Sequence, residues 1–197
     1  MNKSVFDRLE IEAFRAGITP RTDQSRAWFR RRAQAMRRVN REGIMQAEQM
    51  QSTGRTESVV GSMYMFFYDP KHKETLPYYD QFPLIFVLGD APGGFLGMNL
   101  HYLPPLLRQK LLKALLDLAS NDKYNKRTKL MLSYDLLKGS SKYAAFKPTI
   151  KHYLTSHVKT RLAKVPAAEW EIAIFLPMAQ WKKASATQVY RDSRKMI

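Results

Sequence analysis

The chain has 197 residues, and 45% of them are hydrophobic, so it is long and apolar enough to fold around a buried core. Its 33 lysines and arginines against 17 acidic residues give a formal net charge of +16, which is typical of proteins that bind nucleic acid. The chain has no cysteine, which excludes disulfides, thiolate zinc sites and cysteine nucleophiles and favours a reducing compartment.

The positive charge is concentrated towards the two ends of the chain. Residues 1–60 carry 12 basic and 7 acidic side chains, residues 61–120 carry 5 of each, and residues 121–197 carry 16 and 5. We expect a basic N-terminal helical arm at residues 1–58, a central α+β domain at 59–180 and a basic C-terminal tail at 181–197. A membrane surface or an acidic protein would also fit such charge. The sequence shows neither a signal peptide nor a run of about 18 apolar residues, so we expect no membrane partner.

Two helices are predicted near the N-terminus. Apolar residues recur at helical spacing over residues 5–13, and Gly17 is typical of the residue that follows a helix. A second helix is predicted to begin at Thr22 or Asp23 and to continue to Arg41. An apolar stripe along this second helix leaves its arginines on the remaining arc, so the helix can bury one face and present cations on the other.

The second predicted helix contains the densest run of arginines in the chain, and residues 24–41 contain no acidic residue. Ordinary surface helices interleave both signs of charge, and guanidinium groups bind phosphate in a bidentate geometry. A solvated helix face is the alternative interpretation. We predict that seven arginines contact nucleic-acid phosphates: Arg26, Arg30, Arg31, Arg32, Arg37, Arg38 and Arg41.

The apolar pattern of the central part is that of β-strands. Runs rich in aromatic and branched residues predict buried strands at residues 63–68 and 83–88, and residues 95–100 predict a third. Turn residues at 89–94 separate the second strand from the third, so we expect a hairpin. A fourth strand is predicted at residues 170–176. The fold class is therefore α+β, with a small antiparallel sheet surrounded by helices and closure into a small barrel as an alternative.

Three helices are predicted between the hairpin and the fourth strand. The first begins after Pro104 and Pro105, where leucines follow at spacings of three and four. A polar break at residues 121–126 follows it. The two other helices are predicted at residues 128–137 and 149–162.

A second group of cations follows this break and is interleaved with Tyr143, Phe146 and Tyr153. These aromatic side chains suit either the core or the edge of a groove that holds a duplex or its end. We predict phosphate contacts from Lys142, Lys147, Lys151, Lys159 and Arg161. Such contacts position a duplex without reading its sequence, and the chain has no zinc finger, RNA-recognition signature or convincing helix-turn-helix. We therefore expect binding that tolerates any sequence.

Catalytic motifs are sparse. His152 and His157 are five residues apart, a spacing that does not align two metal ligands on one helix face. Asp69, Pro70 and Lys71 resemble the acid-x-lysine element of metal-dependent nucleases, which leaves a nuclease as a minor alternative. Because phosphate-binding loops, nucleophile elbows and dinucleotide motifs are missing, we expect no enzymatic activity, cofactor, metal site or small-molecule substrate.

The central sequence resembles a known family in three blocks: MYMFFYDPK at residues 63–71, LPYYDQFPL at 76–84 and GFLGMNLHYLP at 94–104. The resemblance extends to residues 153–157 and 190–195 and is to the DNA end protector proteins of contractile-tailed (myovirus) bacteriophages. It implies a low-copy virion protein that binds the ends of packaged double-stranded DNA and shields them from host exonuclease after injection. It brings no catalytic residues.

The same resemblance implies a place in the phage virion, beside other virion proteins, and in the host cytoplasm after synthesis or injection. A structural component of the head-tail neck or baseplate, whose basic flanks grip neighbouring proteins, is the alternative function. Buried polar groups need partners, so the polar residues of the motif blocks are expected to form internal hydrogen bonds rather than ligand contacts. These residues are Tyr78, Tyr79, Asp80, Asn99, His101 and Tyr102.

Overall fold

The computed structural model describes residues 5–19, 22–35, 60–119, 121–165, 170 and 179–195. Its helices are α1 Val5–Arg15, α2 Asp23–Ala35, α3 Pro105–Ala119, α4 Lys126–Ser141 and α5 Ala186–Lys195. Its strands are β1 Met63–Met65, β2 Tyr79–Asp80, β3 Leu84–Ala91, β4 Gly94–Asn99, β5 Ile150–Leu154, β6 Ala163–Val165 and β7 Trp181–Lys182. Short 3₁₀ helices occupy Leu100–Tyr102, Ala144–Thr149 and Thr155–His157. The α+β class is confirmed.

The end of α1 and the start of α2 lie where the sequence predicts them. Gly17 follows α1 with a φ of 64°, and Ile18 N–H donates to the carbonyl of Ala13, which is the bonding pattern of a glycine-terminated helix. At the start of α2 the hydroxyl of Thr22 accepts from Ser25 N–H at 3.0 Å and so caps the helix. Residues 36–41, which the sequence also assigns to the second helix, lie outside the described residues.

Five strands form one antiparallel sheet in the order β5-β4-β3-β1-β6. The predicted hairpin is confirmed as β3 and β4, which pair from Ile85 opposite Asn99 to Ala91 opposite Gly94. Its turn is the pair Pro92 and Gly93, and Gly93 adopts a φ of 71° that a glycine reaches without strain. The strands β2 and β7 form a separate two-stranded sheet.

The barrel alternative is wrong, because the five-stranded sheet is open. Among the described strands, β5 and β6 lie at opposite edges and do not pair with each other. Beyond β1 the chain leaves the sheet, and Phe66 and Tyr68 pack over its face in edge-to-face contact with Tyr153, with ring centroids 5.3 and 4.9 Å apart. These aromatic rings cover one face of the sheet and keep it dry without closure.

The helix predicted at residues 149–162 is also wrong. This segment forms β5, the 3₁₀ turn Thr155–His157 and an extended connection, and β5 pairs with β4 from Ile150 opposite Met98 to Leu154 opposite Gly94. The open edge of β4 supplies backbone partners that no local signal reveals, and this long-range pairing overrides the helical spacing of the segment. The helix predicted at residues 128–137 is confirmed as part of α4.

Both faces of the sheet are buried. One face packs against the helices, and its core includes Leu9 of α1, Leu115 of α3 and Leu137 of α4. The other face is covered by a cluster rich in aromatic residues around Tyr64 and Phe66. Of the fourth strand predicted at residues 170–176, the structure describes only Trp170, which is helical; the rest of the strand stays a prediction. The three-part division at residues 58 and 180 also stays a prediction.

Candidate nucleic-acid interface

The N-terminal arginines are only partly described. Arg26 and Arg30 lie within α2, and Arg37, Arg38 and Arg41 lie outside the described residues. The two remaining arginines, Arg31 and Arg32, are exposed and line a groove between α1 and α2 together with Arg15 and Trp28.

The chain itself partly neutralises this groove. Glu12 of α1 accepts from Nη2 and Nε of Arg32 at 2.6 and 3.0 Å. An exposed ion pair of this kind contributes about 0–1 kcal/mol, so it orients Arg32 without removing it from solvent. Arg15 and Arg31 also line the groove and are exposed. Neither forms an ion pair with a described carboxylate.

The predicted C-terminal cations lie at three places in the fold. Lys142 caps the end of α4, Lys147 lies in the following 3₁₀ helix, and Lys159 and Arg161 lie on the connection between Thr155–His157 and β6. All four side chains are exposed. We call these four residues the basic surface.

No acidic residue occurs between residues 136 and 168, whereas seven lysines and arginines do. Within the part of the chain that the structure describes, the ion pairs are Arg32 with Glu12, Lys73 with Asp69, and His101 with Asp80, and none involves the basic surface. The basic surface therefore presents charge that described carboxylates do not neutralise. Such charge is balanced by solvent counterions, which a polyanion can displace.

Lys151 differs from the other predicted contacts. It lies on β5, is partly buried, and holds its Nζ 4.1 Å from the ring centroid of Tyr102. Burial lowers the pKa of Lys151, because desolvation disfavours the charged amine. Its packing on Tyr102 accounts for its position without any ligand, and its contact with phosphate stays a prediction.

The three interleaved aromatic residues separate into two environments. Tyr153 is buried on the aromatic face of the sheet, and Phe146 packs against the helical core. Tyr143 follows Lys142, the residue that caps α4, and is 68% exposed. It lines a groove of about 520 Å³ together with Leu136, Gly139, Ser140 and Lys142.

The polar residues of the recognised sequence blocks form a buried cluster under the sheet. Asp80, Asn99, His101 and Tyr153, which we call the polar cluster, are each less than 5% exposed. His101 Nδ1 lies 2.6 Å from Oδ2 of Asp80, and Asn99 Nδ2 donates to the same oxygen at 3.2 Å and to the hydroxyl of Tyr153 at 3.1 Å. The expectation of internal hydrogen bonds is confirmed for Asp80, Asn99 and His101.

Asp80 is the centre of this cluster. Its Oδ1 accepts from the backbone N–H groups of Phe82 and Gln180, both at 3.0 Å, so one carboxylate joins β2, the start of β3 and the chain before β7. Burial alone would raise the pKa of Asp80, but the charge of His101 and these hydrogen bonds hold it below its ordinary value. Burial raises the pKa of Tyr153 well above its ordinary value.

Sequence reasoning missed Arg108, a buried cation of α3 that is 7% exposed. Its Nη2 donates to the carbonyls of Leu103 at 3.1 Å and His101 at 3.4 Å and to the hydroxyl of Tyr190 at 3.1 Å, which ties α5 to His101 of the polar cluster. Desolvation lowers the pKa of Arg108. The available signal was its position three and four residues before Leu111 and Leu112, on the apolar stripe of the helix.

The residues that suggested a nuclease do not assemble a metal site in the described structure. Asp69 forms an i,i+4 ion pair with Lys73, with Nζ 3.1 and 3.2 Å from its two oxygens. The described residues contain no group of three or more histidines and acids placed to hold a metal ion. None of the described helices is long and apolar enough to cross a membrane.

A family model described as Phage T4 terminal DNA protecting protein matches residues 6–193. The chain belongs to this family. The match confirms the resemblance seen in the sequence blocks, and it includes both predicted groups of phosphate contacts as well as the polar cluster. Family membership connects the chain with the protection of phage DNA termini. Neither a curated protein nor a solved structure matches the chain.

Proposed function

We propose that this protein binds the termini of double-stranded DNA without sequence specificity, through contacts between its exposed cations and the phosphates, and thereby blocks exonuclease. The basic surface supports the proposal most directly, because Lys142, Lys147, Lys159 and Arg161 are exposed and no described carboxylate neutralises them. The family description supplies the terminus as the target.

The physical mechanism is the release of counterions. A duplex holds condensed cations along its backbone, and each lysine or arginine that replaces one releases it to solution. If the basic surface and the arginines of α2 make about six to ten such contacts, affinity falls by about 10³ to 10⁵ between 50 and 200 mM salt. Phosphate contacts carry no sequence information, so this mechanism protects any terminus.

Protection needs occupancy rather than chemistry. An exonuclease must hold the last nucleotides of a strand in its own site, and a protein seated on them removes that substrate. The function therefore requires neither a metal nor a nucleophile, in agreement with the proposed absence of enzymatic activity. Purified protein is expected to leave linear and circular DNA uncut in magnesium or manganese; metal-dependent cutting that is lost in Asp69→Ala would overturn this point.

The first test compares linear duplex with closed circular duplex of the same sequence and length. The protein is expected to bind the linear form more tightly and to slow its degradation by a double-strand exonuclease in proportion to occupancy. Equal affinity for both forms, or binding without protection, would contradict the proposal.

The second test replaces the four residues of the basic surface by glutamine. Affinity for linear duplex is expected to fall at least tenfold, and the slope of log K against log salt is expected to fall by about 0.9 for each phosphate contact removed. A matched control replaces four exposed lysines elsewhere, Lys71, Lys110, Lys113 and Lys123. An equal loss in both variants would show that net charge alone, rather than this surface, binds the DNA.

The neck or baseplate alternative predicts a different distribution in the virus. A protein bound to DNA ends is expected to leave the particle with the DNA, whereas a structural component stays in particles that lack DNA. Quantitative mass spectrometry of full and DNA-free particles separates the two, and full retention in DNA-free particles would favour the structural function.

A further inference from the structure

Residues 136–168 contain no acidic residue. Among the aromatic residues that the structure describes in this segment, Tyr143 is the one that projects into solvent. It is 68% exposed, whereas Phe146 and Tyr153 of the same segment are packed into the cores. A single exposed aromatic residue is common on protein surfaces and needs no explanation by itself. Its surroundings are the unusual feature.

Lysines surround Tyr143 in the chain. Lys138 and Lys142 precede it on the end of α4, and Lys147 follows it in the 3₁₀ helix; all three are exposed. The nearest acidic residue before it is Asp135, and none follows it before Glu169. An aromatic ring set among unneutralised cations is the combination that proteins use to hold nucleic-acid bases beside their phosphates.

The backbone holds Tyr143 firmly in place. Its N–H donates to the carbonyl of Ser140 at 3.0 Å, and its carbonyl accepts from Phe146 N–H at 3.0 Å. The ring is therefore presented between two helical turns, so little backbone order has to be gained on binding.

The groove beside the ring is open. It is lined by Leu136, Gly139, Ser140 and Lys142, and a Cβ built on Gly139 would meet no atom within 4 Å. Small residues on this side of α4 allow a flat ligand to approach the ring without a clash.

We propose that Tyr143 stacks on the terminal base pair of a duplex while Lys138, Lys142 and Lys147 contact the phosphates next to the end. This inference rests on the proposed function and adds the source of its preference for ends. Inside a duplex both faces of each base pair are already stacked, so a protein ring gains nothing without unstacking them. At a terminus one face is free, and only there does the ring add affinity.

The test uses two ligands of identical sequence, a blunt linear duplex and a dumbbell whose ends are closed by hairpin loops. Wild-type protein is expected to prefer the blunt duplex. Tyr143→Ala is expected to reduce affinity for the blunt duplex about tenfold and to leave affinity for the dumbbell unchanged, which brings the ratio of the two affinities close to one. Tyr143→Phe is expected to keep the preference, because stacking requires the ring and not the hydroxyl.

The matched control is Tyr124→Ala. Tyr124 precedes the opposite end of α4, is 39% exposed, and is expected to contribute nothing to the ratio. Thermal unfolding of all variants verifies that each is folded. A fluorescent adenine analogue at the terminal position adds a direct readout, since its emission is expected to change on binding of wild type and Tyr143→Phe but not of Tyr143→Ala.

The outcomes separate this inference from the proposed function. A wild-type protein that binds both ligands equally would overturn the proposed end preference itself. A wild-type preference that survives in Tyr143→Ala would leave the function standing and overturn the role of Tyr143. An equal loss in Tyr124→Ala would show a general effect of exposed aromatic residues and would also overturn it.

Discussion

The polar cluster and the basic surface are both rich in polar side chains, but these side chains find their partners in opposite ways. In the polar cluster a single carboxylate, Asp80, accepts four hydrogen bonds and is 4% exposed. On the basic surface Lys142, Lys147 and Lys159 are exposed and have no described carboxylate partner. In the first arrangement the partners of Asp80 all come from the chain itself, whereas in the second the charges face solvent.

This contrast explains why the most distinctive sequence motif is not the candidate site. A buried charge is strongly destabilising unless the fold surrounds it with partners, so its neighbours are constrained in identity and spacing. A phosphate-binding surface needs only cations at approximate positions, because the attraction is long-ranged and non-directional. The motif at residues 76–104 therefore stabilises the fold, whereas the proposed DNA contacts come from lysines outside the motif.

The largest expected effect on stability comes from Asp80→Ala. The change leaves two backbone N–H groups and His101 without their buried acceptor, and we expect the free energy of unfolding in urea to fall by about 3–5 kcal/mol. The control Asp90→Ala removes an exposed carboxylate from β3. Similar losses in both variants would break the proposed contrast between buried and exposed charge.

Acidification is expected to remove part of the same stabilisation. The folded-state pKa of Asp80 lies below its ordinary value of 3.8, so its carboxylate stabilises the fold above that pH, and this contribution is lost as the pH falls through the folded-state pKa. We expect the free energies of unfolding of wild type and Asp80→Asn, measured in urea, to converge as the pH is lowered from neutrality to below 3.8. Parallel curves would contradict the charge-based role of Asp80.

A smaller effect is expected at Gly97 of β4, where Ile85 and Tyr153 pack closely against the backbone. A Cβ at Gly97 of β4 would lie 2.7 Å from Cδ1 of Ile85 and 3.1 Å from Cε2 of Tyr153. Gly97→Ala is expected to lower the free energy of unfolding by about 1–3 kcal/mol. Gly89→Ala is the control, because a Cβ there meets nothing within 4 Å. Equal changes would show that backbone freedom rather than packing sets the effect.

The smallest change in stability is expected on the basic surface. Replacing Lys142, Lys147 and Lys159 by glutamine is expected to change the free energy of unfolding by no more than about 0.5 kcal/mol while DNA affinity falls. Urea unfolding and DNA binding should be measured on the same protein preparation, so that the changes in stability and in affinity can be compared directly. A clear loss of stability together with affinity would mean that these lysines belong to the scaffold after all.

The elements predicted correctly from sequence have local signals. The turn of β3 and β4 carries Pro92 and Gly93, and α3 carries its leucines at spacings of three and four. The segment that became β5 lacks such a signal, because its apolar residues fit either a helix or a strand and the edge of β4 decides between them. Arg108 was missed for a related reason, since its side-chain partner Tyr190 comes from a distant part of the chain.

For this protein the sequence alone determined the excess and segregation of positive charge, the lack of cysteine, the α+β class and the family resemblance. All of these depend on composition or on neighbouring residues. Only the tertiary structure decided that Lys151 packs on Tyr102 while Lys142 is exposed, and that Tyr153 is buried while Tyr143 projects into solvent. The reason is that burial depends on which distant segments cover a side chain, and spacing along the chain does not record that.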